Sequence, residues 1–145
     1  MPAIVKSGNI VYLSHDLPRQ YYTFGSPYHK NYFIAALNSV YAGSRLNAEG
    51  LFTQGRCTMI RQPEQNRYCV NLLYASPIRR GCAEIIEDII PLYNIRMTAQ
   101  ISETVQRVYL PLSNDDLPYM TGNGSVSFTV PELNCHTTVV IEYTE

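Results

Sequence analysis

The segment from Tyr93 to Ile101 alternates strictly between apolar and polar residues, and this pattern constrains the fold of the chain more than any other. Successive side chains of a strand point to opposite faces, so a period of two predicts a strand with one buried face. A second β-rich run, Glu84 to Pro91, precedes it, and Pro91 favours a strand end because proline has no amide hydrogen. The apolar positions of the alternating strand are Tyr93, Ile95, Met97, Ala99 and Ile101.

Short strands separated by turn residues fill the rest of the C-terminal part of the chain. Arg56 to Gln62 and Tyr68 to Tyr74 flank Pro63-Glu64-Gln65-Asn66, which predicts a hairpin closed by a type I turn. Six to eight such strands predict an antiparallel β-sandwich. The remaining predicted elements are a strand at 105–112, a loop at 114–118, a tight turn at 121–124, a strand at 126–130 ended by Pro131, and a strand at 139–143.

The N-terminal part reads as one strand and one helix. Ile10 to Leu13 is a short strand candidate, and a polar connector follows it from Ser14 to Gly25. Ser26 and Pro27 predict a helix start, and apolar residues recur at helical spacing as far as Gly43. The expected fold is therefore α+β and mostly β, with a domain boundary between residues 43 and 44. The apolar helix positions are Phe33, Ala36, Leu37, Val40 and Tyr41.

Composition excludes several classes of function. The 145 residues carry 11 basic and 12 acidic side chains, a net charge of -1, which gives no field that would attract nucleic acid. No apolar window is long enough to span a membrane, and no secretion signal is evident. We therefore expect a cytoplasmic protein with no cofactor and no metal site. The four cysteines form no CxxC pair and are expected to be reduced; they are Cys57, Cys69, Cys82 and Cys135.

Two groups of residues are candidates for a site. Glycoside hydrolysis needs a pair of carboxylates, and Glu84, Glu87 and Asp88 form a weak acidic cluster that is more typical of a solvated surface. Tyrosines gather at the entrance to the helix, where they could stack on a sugar, contact another subunit or pack against the sheet. No catalytic residue follows from either pattern. The tyrosines are Tyr21, Tyr22, Tyr28 and Tyr32.

Over Arg56 to Tyr143 the chain resembles the C-terminal region of the β-galactosidase-like glycoside hydrolases of the trimerisation-domain type. The similar segments are RCTMIRQPEQNRYCVNLLYASPIRRG, EIIEDIIPLYNIRMTAQI and the tail VYLPL to VVIEY. The segment GNIVYLSHDLPRQYYTFGSPYHKNYFIAAL resembles the last strand and helix of the flavodoxin-like middle domain of the same proteins. Asn71 departs from the histidine expected at its position in those relatives.

The resemblance implies a chain without the catalytic barrel, which alone needs about 250 residues. Residues 1–43 would be the tail of the flavodoxin-like domain, and residues 44–145 the C-terminal sandwich. The expected function is a non-catalytic accessory module whose partner is an upstream catalytic domain or a second copy of the chain. The alternatives are a free-standing carbohydrate-binding sandwich and, less favoured, a small hydrolase.

Overall fold

The computed structural model describes residues 4–41 and 43–144. The chain divides into two compact units, one up to Ser44 and the other from Arg45 onward. No helix within the described ranges is long and apolar enough to cross a membrane. Each unit has its own secondary-structure elements and its own sheets.

The first unit contains two strands and two helices rather than one of each. Strand β1 (Ile4–Ser7) pairs antiparallel with β2 (Ile10–Leu13), and helices α1 (Leu17–Phe24) and α2 (Pro27–Asn38) follow. The prediction of a connector from Ser14 to Gly25 is wrong because α1 lies there. The Asp16 side chain accepts a hydrogen bond from the Arg19 amide (3.3 Å), and Gly25 ends the helix in the left-handed conformation.

Helix α2 begins at Pro27 as predicted but ends earlier than predicted. Its last residue is Asn38, and the amide of Ser39 bonds the carbonyls of the final turn, so Gly43 is not its stop signal. The expected apolar face is largely uncovered, since Phe33 and Leu37 are exposed and only Ala36 is buried. The helix contacts α1, but much of the apolar face that its sequence pattern predicts remains exposed.

The second unit is a β-sandwich, which confirms the expected fold class. Its five-stranded sheet has the order β10-β9-β13-β5-β4, and its four-stranded sheet has the order β11-β12-β8-β3, with antiparallel pairing throughout. A separate hairpin is formed by β6 and β7. The strands are β3 (Leu46–Glu49), β4 (Arg56–Gln62), β5 (Arg67–Leu73), β6 (Ile78–Arg80), β7 (Ala83–Ile85), β8 (Leu92–Gln100), β9 (Thr104–Leu110), β10 (Asp115–Asp116), β11 (Tyr119–Gly122), β12 (Ser125–Leu133) and β13 (His136–Thr144).

The alternating strand β8 supplies the centre of the core, as its sequence predicts. The apolar side chains predicted to face the core are buried, with one exception. At the start of the strand, Tyr93 is exposed and Leu92 is buried instead. Asn94 has a φ of 56°, and this left-handed residue shifts the alternation at the start of the strand. The side chains of β8 that form the core are Leu92, Ile95, Met97 and Ala99, continued by Ile101.

The predicted hairpins and turns are present. Strands β4 and β5 pair from Arg56↔Leu73 to Gln62↔Arg67, and a 3-10 turn (Pro63–Gln65) joins them. Asn123 and Gly124 both have positive φ, 51° and 69°, between β11 and β12. Pro131 does not end its strand as predicted, because β12 continues to pair with β8 as far as Leu133.

The run from Glu84 to Pro91 is the largest error in the predicted strands. Only Glu84 and Ile85 of this run lie in a strand, the short β7, and the rest is irregular. A β-rich composition does not by itself provide a pairing partner, and β6 is only three residues long. The isoleucines beyond β7 are consequently exposed; they are Ile86, Ile89 and Ile90.

Candidate functional site

The predicted tyrosines lie on the surface of the first unit. Tyr21 and Tyr22 are on α1, and Tyr28 and Tyr32 are on α2. Tyr22 is 92% exposed and Tyr28 is 84% exposed. A shallow depression at α1 is lined by Asp16, Arg19, Gln20, Thr23 and Phe24, and none of the four rings lines it. Their role as a carbohydrate or interface surface stays a prediction.

Two of the three carboxylates of the acidic cluster lie opposite or beside arginine side chains. Glu84 lies opposite Arg79 in the β6–β7 hairpin. Glu87 accepts hydrogen bonds from Arg80 Nε (3.1 Å) and Nη2 (2.9 Å), and this pairing raises the pKa of Arg80. Asp88 is exposed in the irregular segment that follows. Glu87 is therefore paired with the Arg80 guanidinium, and all three carboxylates lie on the solvent-exposed surface.

The hairpin of the first unit is apolar on both faces. Cross-strand pairing puts Val5 beside Tyr12 and Ser7 beside Ile10, so Val5, Ile10 and Tyr12 share one face. All three are exposed, Ile10 by 72% and Tyr12 by 64%. We call Val5, Ile10 and Tyr12 the open hairpin face. Strands that are apolar on both sides are typical of sheets covered by other elements on both sides.

The first unit has almost no core within the described residues. Leu17 and Ala36 are its buried hydrophobic side chains, while Phe24 and several other aromatic and aliphatic side chains are exposed. An isolated two-stranded hairpin is at best marginally stable in water and needs packing against further elements. The exposed apolar surface of this unit is thus typical of a segment that packs against another protein surface.

A polar cluster, missed by the sequence analysis, lies at one end of the five-stranded sheet. Glu103, in the loop after β8, binds Arg61 Nη2 of β4 (2.9 Å) and accepts a hydrogen bond from the Tyr68 hydroxyl of β5 (3.0 Å). Arg61 Nε donates to the Tyr143 hydroxyl of β13 (3.2 Å), and the Tyr68 and Tyr143 rings are 5.3 Å apart. The Glu103 carboxylate, the Arg61 guanidinium and the two tyrosine hydroxyls are joined by these contacts, so the cluster links strands.

The pKa values in the cluster follow from these contacts. Partial burial raises the pKa of Glu103, but hydrogen bonds from its own amide, Tyr68 and Ser102 and the charge of Arg61 lower it, with a net decrease. Burial, then the bond to Glu103, raises the pKa of Tyr68. Glu103 is therefore ionised in the folded protein at neutral pH and stabilises the fold in that form.

The lowered pKa of Glu103 predicts a loss of stability in acid. Its contribution is fully present above the unfolded-state pKa, about 4.3, and disappears as the pH falls through the lower folded-state value. We expect the Glu103→Gln variant to lose less stability than the wild type between pH about 5 and about 3, as measured by urea denaturation. The matched change Glu64→Gln, at an exposed turn position, should leave the wild-type slope unchanged. Equal slopes for wild type and Glu103→Gln would contradict the prediction.

A groove of about 450 Å³ lies on the outer face of the four-stranded sheet. The register places Asn47, Thr98, Ser127 and Met120 in one row across β3, β8, β12 and β11. A second row consists of Glu49, Arg96 and Thr129. Pro118 also lines the groove. The polar positions of the alternating strand, which the sequence predicts to face outward, thus form the floor of this groove together with their cross-strand partners.

Opposite charges and hydroxyl groups dominate this groove. Arg96 Nη1 lies 4.0 Å from Glu49 Oε2, and both side chains are at least 70% exposed. Thr98 Oγ1 and Ser127 Oγ are 3.3 Å apart. Within residues 4–41 and 43–144, no hydrogen bond engages the side chains of Asn47 and Thr129. The groove therefore offers donors and acceptors without a net charge.

Asn71, which differs from the residue expected in relatives, lies on the outer face of β5. Its Oδ1 accepts a hydrogen bond from the hydroxyl of Thr138 on β13 (2.9 Å), its cross-strand neighbour. The amide thus joins two strands of the five-stranded sheet. This contact gives Asn71 a structural role.

Comparisons with known proteins link the chain to one class of enzyme. No protein-family model and no curated protein matches the sequence. Among solved structures, the chain is similar to α-L-fucosidase isoenzyme 2 from Paenibacillus thiaminolyticus, with 37% sequence identity and a TM-score of 0.91. The match covers 99% of this chain and 22% of the fucosidase chain.

The chain is therefore similar in structure to part of a glycoside hydrolase. It spans 22% of the length of the fucosidase that it matches, so it corresponds to one part of that enzyme. The expected resemblance to a glycosidase is supported at this level. The more specific resemblance to β-galactosidase-like enzymes is not supported by the match, whose named protein is a fucosidase.

Proposed function

We propose that this chain is a non-catalytic accessory module that packs against the remainder of a larger glycosidase. The observation that carries the proposal is the fucosidase match, which covers nearly all of this chain and 22% of that enzyme. The parent enzyme would act on glycosides, and the β-galactosidase-like type stays our proposal for its family. Unpaired cysteines in the described ranges are consistent with the cytoplasmic placement that we also propose.

The surface of the first unit supports a packing role. The open hairpin face and the exposed rings of Tyr22 and Tyr28 present apolar groups that water solvates poorly. A flavodoxin-like domain has further strands and helices that would cover such a hairpin, as the resemblance of residues 1–43 implies. The partner that we propose is therefore the rest of a glycosidase chain, and a second copy of this chain is the alternative.

The geometry of the carboxylates supports a non-catalytic role for the chain alone. A retaining glycosidase holds two carboxyl groups about 5 to 5.5 Å apart. Among the acidic residues that were candidates, Glu87 is paired with Arg80 and Glu84 lies opposite Arg79. The Glu87 carboxylate is thus already engaged by the Arg80 guanidinium.

We expect the isolated chain to release no aryl alcohol from an aryl α-L-fucoside or an aryl β-D-galactoside above the rate in buffer. The Glu84→Gln and Glu87→Gln variants should behave identically, because Glu84 lies opposite Arg79 and Glu87 is paired with Arg80. A continuous assay at high protein concentration measures the rate, with the intact fucosidase as the positive control. Hydrolysis that is lost in either variant would overturn the accessory role.

A hybrid enzyme tests the packing role directly. In this hybrid glycosidase, the present chain replaces the matched 22% of the Paenibacillus thiaminolyticus fucosidase. We expect the hybrid to hydrolyse an aryl α-L-fucoside and to melt at a higher temperature than the same fucosidase with the matched part deleted. A hybrid no more stable than the deletion, with the isolated chain still folded by circular dichroism, would contradict the proposal.

A free-standing carbohydrate-binding sandwich is the second candidate function. It rests on the four tyrosines of α1 and α2, but their rings line neither the groove on the sheet nor the depression at α1. Sugar-binding aromatic rings normally present a face along a groove, so the tyrosines favour an interface. Any sugar binding would have to use other residues of the sandwich.

A further inference from the structure

We infer that the groove on the outer face of the four-stranded sheet binds a neutral saccharide. This inference concerns residues of the second unit alone and does not depend on the packing role of the first. Asn47, Glu49, Arg96, Thr98, Ser127 and Thr129 would contact the sugar hydroxyls.

The polar groups of the groove match the hydroxyls of a sugar ring. A hydroxyl group both donates and accepts, so it is best satisfied by a surface that offers both functions. Arg96 supplies guanidinium donors and Glu49 supplies carboxylate acceptors, and the two are close enough (4.0 Å) to bind neighbouring hydroxyls of one ring. Asn47 supplies an amide that offers both. Together these side chains can bind adjacent hydroxyls without requiring a charge on the ligand.

The charge balance excludes strongly charged ligands. Glu49 and Arg96 cancel each other, and the remaining polar side chains of the groove are neutral. An anion at Arg96 would lie against Glu49, and a cation at Glu49 would lie against Arg96. A neutral polyol avoids both repulsions.

The volume of the groove and its apolar side chains fit a sugar ring better than an acyclic polyol. A volume of about 450 Å³ falls within the usual range of small-molecule sites, about 300 to 1,000 Å³. Pro118 and Met120 line the β11 side, and Met120 is 76% exposed. A thioether and a prolyl ring supply apolar surface that can cover the C–H face of a sugar.

The polar floor is held in position by the sheet. Each contributing residue lies opposite another across a paired strand, from Glu49↔Arg96 to Thr98↔Ser127 and Arg96↔Thr129. The inward-facing neighbours Met97 and Phe128 are buried in the core and fix the strands. A sugar would thus meet side chains on a rigid scaffold, which reduces the entropy lost on binding.

The test is a titration of the isotope-labelled chain with methyl α-L-fucopyranoside and methyl β-D-galactopyranoside, followed by amide NMR. We expect saturable shifts at Asn47, Thr98 and Ser127, with a dissociation constant on the order of millimolar for at least one sugar. Sorbitol, an acyclic polyol, should cause no saturable shift because it lacks the preorganised ring. The dispersion of the spectrum reports directly that each variant is folded.

Two matched variants decide the location of the site. Arg96→Ala should weaken binding about tenfold or more, because a charged donor to the sugar is lost. Arg79→Ala is the control, since Arg79 also faces a cross-strand glutamate, Glu84, but lies on the β6–β7 hairpin. Absence of saturable shifts in the groove with both sugars at about 100 mM would overturn the inference, as would equal weakening by the two variants.

Discussion

Replacing Leu72 with alanine is expected to lower the free energy of unfolding of the second unit by about 2 to 5 kcal/mol. Leu72 is fully buried on the inner face of β5, which lies between β4 and β13 in the five-stranded sheet. Its loss would leave a cavity in the hydrophobic core to which Leu72 belongs. Tightly packed β-sheets cannot close such a cavity without disturbing their registers.

The adjacent leucine provides a matched control. Leu73 lies on the opposite face of the same strand and is 49% exposed. Leu73→Ala should therefore cost well under about 1 kcal/mol, because little apolar surface is lost and no cavity forms. Urea denaturation followed by far-ultraviolet circular dichroism measures both. Similar losses for the two variants would contradict the assignment of Leu72 to the core.

The sandwich could be predicted because its strands bury one face. Each buried face forces apolar residues to every second position, and this period is preserved from Ile95 to Ala99 in β8 and from Val126 to Val130 in β12. The turn residues were equally informative, since Asn66, Asn123 and Gly124 adopt positive φ where the sequence predicts turns. These signals are local, so a single sequence carries them.

The errors arose where tertiary contacts or single backbone angles decide the structure. The left-handed Asn94 buries Leu92 instead of Tyr93, and no alternation pattern reveals such a residue. Helix α1 is only eight residues long and was missed, although its Asp16 cap and Gly25 stop were available signals. The run from Glu84 to Pro91 has high β propensity, but its residues after β7 pair with no described strand.

The groove could not be located from the sequence because its residues come from four strands. Thr98 and Arg96 were recognisable as outward-facing positions of β8, but Asn47 and Ser127 join them only through the strand order β11-β12-β8-β3. Strand order depends on long-range pairing, which local patterns do not specify. The same reason explains why the bond between Glu103 and Arg61 was missed.

The open hairpin face is the part of the first unit whose alteration should most affect the hybrid glycosidase. We expect the double variant Ile10→Thr/Tyr12→Thr to destabilise the hybrid by about 2 kcal/mol or more, because two large apolar side chains would no longer be buried against the enzyme. Threonine has the β-branched shape that strands favour, so the hairpin itself should persist. In the isolated chain both side chains are already exposed, and its stability should change by less than about 0.5 kcal/mol.

The contrast between the hybrid and the isolated chain separates packing from folding. Ile60→Thr is the matched control, because Ile60 is also an exposed strand isoleucine but lies on β4 of the second unit. Denaturation of the hybrid and the isolated chain with each substitution measures the difference, and light scattering of the isolated chain measures self-association.

If the double variant dissociated an oligomer of the isolated chain while the hybrid kept its stability, a second copy would be the partner, and packing against the enzyme would be wrong. An equal loss caused by Ile60→Thr would show that the effect is not specific to the open hairpin face. A loss confined to the double variant in the hybrid is the result that the exposed Ile10 and Tyr12 lead us to expect.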